Sequence, residues 1–88
     1  MSKDALDKIR GFAKRNKIEF THHARLRMYK RGIGSEDIKE CLLYGKIVES
    51  NPNDKPYPSY LFFLEEKHLY LVCALAEEKL YIITAYYP

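Results

Sequence analysis

Apolar residues recur along this chain with two different periods, and the change from one to the other near residue 45 divides it into a helical part and a strand-like part. Between residues 4 and 16, Ala5, Ile9, Phe12 and Ala13 fall on one stripe while Lys8, Lys14 and Arg15 lie mostly outside it, the pattern of an amphipathic helix. Asn16 and Lys17 break that pattern, and Ile18-Glu19-Phe20 alternates as a short strand or an extended lead-in would. Thr21 suits an N-cap for a second helix running from about His22 to Arg31, which Gly32 can stop because it lacks a Cβ. Only Ala24 and Met28 give this helix an apolar face. Ser35 is placed to cap a third helix whose first turn, Glu36 and Asp37, complements the helix dipole. Its buried stripe is Ile38, Cys41 and Leu42, and Gly45 ends it.

From Lys46 onward, segments rich in β-branched and aromatic residues predict strands over Lys46–Ser50, Ser59–Glu65, His68–Leu75 and Leu80–Tyr87. The loop Asn51–Pro58 carries three prolines and is stiff; the other two connections are short enough to be hairpins, so the strands should form a meander. These elements predict an α+β fold in a single domain spanning residues 1–88, with N-terminal helices packed on a C-terminal antiparallel sheet of about four strands. Tyr60, Tyr70, Tyr81 and Tyr86 are expected on the sheet face away from the helices.

Charge adds a direction to this picture. The total is only +3, yet residues 1–34 carry a net of +7 and residues 35–88 a net of −4. Such polarity steers polyanions to one side. The N-terminus has no apolar core of signal-peptide length, and the longest uncharged apolar run, Leu69 to Ala76, is far below the roughly 18 residues of a spanning helix, so a cytoplasmic chain with no membrane partner is expected. Cys41 and Cys73 lie in apolar patterns without CxxC spacing and read as buried free thiols.

The cationic half is concentrated in THHARLRMYKRGI, residues 21–33. His23, Arg27, Lys30 and Arg31 are spaced i, i+4, i+7 and i+8 and share a helix face. Their mutual repulsion calls for an anion, which is either phosphate from outside or the carboxylates of Glu36, Asp37 or Glu40. In a symmetric final hairpin His68 falls opposite Tyr87, or opposite Tyr86 after a one-residue shift, which would bring an imidazole and a phenol to one end of the sheet. Cleavage of an RNA phosphodiester needs a base, an acid and fixed positive charge. His23, His68 and Tyr86 are therefore candidate catalytic residues, and Arg27, Lys30 and Arg31 candidate RNA or anion ligands. No histidine or cysteine pair has metal-ligand spacing, and neither a metal nor another cofactor is expected.

The ordered motifs FTHHARLRM, RGI and DI, followed by GKIVE, DKPYPS, HLYLVCAL and YIITAYYP, resemble a widespread prokaryotic family of small domains of unknown function over about Phe20 to Pro88. That family is itself similar to the RelE/ParE and BrnT toxin superfamily. The resemblance implies a toxin-like fold of helices on an antiparallel sheet, a metal-independent endoribonuclease activity and an acidic antitoxin partner. The family's recurrent polar positions match His23, Arg27, Arg31, His68, Thr84 and Tyr86. The expectation is an RNA-directed toxin-like protein, with a non-catalytic RNA- or antitoxin-binding module of the same fold as the alternative.

Overall fold

The computed structural model describes residues 3–88, and it is α+β: three helices packed on a five-stranded mixed sheet. In chain order the elements are α1 (Lys3–Lys14), β1 (Ile18–Phe20), α2 (His22–Arg31), α3 (Ser35–Tyr44), β2 (Lys46–Asn51), β3 (Ser59–Leu64), β4 (Leu69–Leu75) and β5 (Leu80–Tyr86). A single 3₁₀ turn over Glu65–Lys67 joins β3 to β4. The sheet order is β1-β5-β4-β3-β2; β2 to β5 form the expected antiparallel meander, and β1 adds a fifth strand, parallel to β5, with Ile18 opposite Leu80. Lys79 and Glu19 fasten this edge with an ion pair of 2.7 Å. No helix among the described residues is long and apolar enough to cross a membrane.

One face of the sheet is covered by the helices. Leu69, Leu71 and Cys73 of β4, Phe62 of β3, and Leu80, Ile82 and Ala85 of β5 are fully buried there against Ile9, Ala13, Ala24, Ile38 and Leu42. The alternate residues occupy the other face, which carries no helix. Tyr60 departs from expectation: its neighbours in YLFFL alternate with it, so Tyr60, Phe62 and Leu64 point inward together, and Tyr60 is buried. Burial also pushes the Cys41 thiol up to about 12, and raises that of Cys73 as well.

Local chemistry accounts for the joints. Thr21 Oγ1 accepts the Ala24 N–H at 3.1 Å and caps α2 as expected, and Gly32 closes it in the left-handed region at φ 68. The cap of α3 is Gly34, one residue before the expected Ser35: the Asp37 carboxylate accepts the Gly34 N–H at 2.9 Å, so the capping oxygen comes from inside the helix. Gly45 ends α3 for a different reason from Gly32. Its φ of −76 suits any residue, but an added Cβ would stand 2.5 Å from the Cys41 carbonyl oxygen and 2.8 Å from that of Phe63. Arg10 of α1 ties the same corner by donating to the Leu42 and Gly45 carbonyls at 3.1 and 2.7 Å, where the helix C-terminus favours a cation.

Candidate functional site: the basic face of α2 and the β5 edge

Because β1 runs parallel to β5 and leads directly into α2, the basic helix is laid along β5. Ala24 and Met28 are buried in that contact, which turns the flank bearing His23, Arg27 and Lys30 outward. His23 and Lys30 are exposed and Arg27 is half-buried. The Arg27 Nε–H donates to His23 Nε2 at 3.5 Å, as side chains four residues apart on a helix can. In this arrangement Nε2 is the accepting ring nitrogen, and the two terminal guanidinium nitrogens of Arg27 remain for other acceptors.

Arg31, exposed at the last turn, donates from Nη1 to the Ala85 carbonyl at 2.8 Å. At the N-cap, immediately before the helix, Thr21 does the same: its N–H donates to the Ile82 carbonyl at 3.2 Å and its Oγ1 to that of Ile83 at 3.4 Å. β1 pairs with β5 only at Leu80 to Ile82, so the contacts to Ile83 and Ala85 satisfy carbonyls on the part of the β5 edge that no strand reaches.

Two of the three carboxylates that could have neutralised the helix, Asp37 and Glu40, are engaged elsewhere. Lys67 lies 2.6 Å from Asp37 and 3.1 Å from Glu40, so the acidic side of α3 faces the β3–β4 turn. The Lys67 ammonium, and then the Gly34 N–H, hold the Asp37 carboxyl below its ordinary range. Among the described residues no ion pair involves Arg25, Arg27, Lys30 or Arg31.

His68 and Tyr86 do not meet. The final hairpin does pair Leu75 with Leu80, but β5 carries an extra residue at Ile83, and beyond this bulge Val72 faces Thr84 and Tyr70 faces Tyr86. His68 itself leaves the strand, with φ 50, at the end of the 3₁₀ turn, and its exposed ring meets Phe63 edge-on at 6.4 Å. The rings of Phe63 and Tyr70 therefore stand between His68 and Tyr86. Tyr86 and Thr84 are half-buried on the uncovered sheet face. The fold thus joins His23 to Arg27 and Arg31 to the β5 edge beside Tyr86, and sets His68 apart. Phe63 was not foreseen, although pairing Leu64 with Leu69 across the short turn places it opposite Tyr70.

A concavity of about 710 Å³ is lined by Lys8, Tyr57, Leu75, Glu77, Lys79 and Tyr81 at the opposite end of β4 and β5; no α2 residue lines it. Among the described residues no three His, Cys, Asp or Glu side chains are grouped as metal ligands would be.

Residues 20–87 match the family model described as Domain of unknown function (DUF4258), and the chain belongs to that family. Comparison with curated proteins and with solved structures finds no match. The matched segment begins at Phe20, so β1's last residue, the capped basic helix and the whole meander belong to the family's shared part, whereas α1 precedes it.

Proposed function

We propose that this domain acts on RNA, holding phosphates along α2 and cleaving the strand without metal as a toxin-like endoribonuclease related to the RelE/ParE and BrnT superfamily. The observation that carries the reading is the pairing state of α2. Arg27, Lys30 and Arg31 make no ion pair among the described residues, while Asp37 and Glu40 are occupied by Lys67. A polyanion from outside relieves that repulsion and releases its own counterions.

The chemistry asked of the site is modest. The His23 imidazole can take the proton of a 2′-hydroxyl once its Nε2 exchanges the Arg27 Nε–H for that hydroxyl. Arg27 and Arg31 offer forked donors for the non-bridging oxygens as charge builds on phosphorus. Attack by the 2′-oxygen expels the 5′-oxygen, which takes a proton from water, and leaves a cyclic phosphate. A second reading, a non-catalytic module whose α2 binds RNA or an acidic antitoxin segment, is favoured by the separation of His68 from Tyr86. Incubation of the purified protein with single-stranded RNA in chelator, followed by end-group mapping, decides between them. Cyclic or 3′-phosphate ends support the nuclease; intact RNA bound with strong salt dependence supports the module; absence of both binding and cleavage removes the RNA reading.

A further inference from the structure

The uncovered face of the sheet carries its rings in a row. Lys46, Phe63, Tyr70 and Tyr86 are successive cross-strand partners from β2 to β5. Phe63 and Tyr70 lie 4.6 Å apart at 35°, and Tyr70 and Tyr86 stack at 5.3 Å and 17°. Rings stacked across neighbouring strands have their normals along the inter-strand direction. Tyr86 is the last ring of the stack, so its second face turns off the β5 edge. β1 covers that edge only as far as Ile82, and at the level of Tyr86 the edge is spanned instead by Arg31 on the Ala85 carbonyl. Among the described residues Tyr86 stacks on Tyr70 alone, and a ring stacked on one face beside a guanidinium has the chemistry that receives a nucleobase together with its phosphate.

We propose that the open face of Tyr86 is a base-stacking position for single-stranded RNA, extending the Phe63–Tyr70–Tyr86 stack by one base and passing the adjoining phosphate to Arg31. The inference rests on the reading of α2 as an RNA-binding helix and deepens it: the strand crosses the β5 edge, with a base on the sheet side and phosphates on the helix side. It selects single strands because a base within a duplex has both faces occupied. It also gives Tyr86 a role that needs its ring rather than its hydroxyl.

The test compares a single-stranded oligonucleotide with an abasic strand of equal length and charge at one salt concentration. The wild-type protein should bind the base-bearing strand on the order of tenfold or more tightly. Tyr86→Leu should abolish this preference while keeping the affinity for the abasic strand, and Tyr86→Phe should preserve it. The chain has no tryptophan, so tyrosine emission of the native protein gives a readout free of any folding defect in a variant: the base-bearing strand should quench it and the abasic strand should not. Equal affinity for both strands, or a preference that survives in Tyr86→Leu, overturns the stacking position while leaving phosphate binding by α2 intact. Failure to bind either strand overturns the RNA reading and this inference with it.

Discussion

Replacing Gly45 with alanine should destabilise the protein more than the same change at Gly32, although only Gly32 has a backbone that glycine favours. At Gly32, φ is 68 and nothing lies within 4 Å of an added Cβ. The cost there is the left-handed conformation alone, roughly 1–2 kcal/mol for a residue with a side chain. At Gly45 the new carbon would stand 2.5 and 2.8 Å from two backbone carbonyl oxygens, of Cys41 in α3 and Phe63 in β3, where 3.4 Å begins ordinary contact. Neither oxygen belongs to a movable side chain, and Arg10 holds Gly45 from a third side. Relief requires α3 to move off the sheet at the point where the chain enters β2, which we put at about 3 kcal/mol, the upper end for overpacking. At about 4–8 °C per kcal/mol for a domain of this size, Gly45→Ala should lower the melting temperature by roughly 12–24 °C and Gly32→Ala by roughly 4–16 °C. Asparagine, which tolerates the left-handed region, should be accepted better than alanine at Gly32 and worse at Gly45. Circular dichroism melts of the four variants suffice, and a Gly45→Ala loss no larger than that of Gly32→Ala would refute the steric argument.

Three further outcomes are expected. The depressed Asp37 carboxyl stabilises the fold in full above the ordinary unfolded value near ~3.9 and loses that contribution as pH falls from there through its lower folded value; the melting-temperature gap between wild type and Asp37→Asn should hold at neutral pH and close below about pH 4, and a gap unchanged by pH would show that the carboxylate's charge is not the cause. Cys41 and Cys73 are buried with thiols raised by that burial, so a thiol reagent at pH 8 should label neither in the native protein and both in denaturant; rapid native labelling would contradict the packing. If the domain cleaves RNA, His23→Ala should slow it by roughly 10²–10⁴ and His22→Ala should be nearly silent, because a helix turns ~100° between them; equal losses with unchanged melting would remove His23 from its role.

What could be read ahead of the structure was local. The stripe of α1, the Thr21 cap and the Gly32 stop each depend on residues within a turn or two of one another, and each stands where the pattern put it. The partner of Ile18-Glu19-Phe20 could not be read, because three residues carry too little period to name a strand sixty positions away. The juxtaposition of His68 with a C-terminal tyrosine failed through one extra residue at Ile83, a bulge that no alternation of apolar residues marks in YIITAYYP. Tyr60 faces inward because the register of YLFFL is set by Phe62 and Leu64, a tertiary demand that overrides the tyrosine's polar end. Arg10 shows the same gap from the other side: on its helix it is one more cation, and only the neighbouring end of α3 gives it carbonyls to hold.

The central claim, that the unpaired cations of α2 serve a nucleic acid backbone, is tested most directly by the affinity for single-stranded RNA as a function of salt, for the wild type and for an Arg27→Ala, Arg31→Ala double variant. With Arg27, Lys30 and Arg31 each on a phosphate, the slope of log affinity against log salt should be near −2, about −0.7 per contact, or roughly tenfold weaker binding for each threefold rise in salt. The double variant should retain a slope of only about −0.7. Salt-insensitive binding, or a double variant with the wild-type slope, would contradict the account.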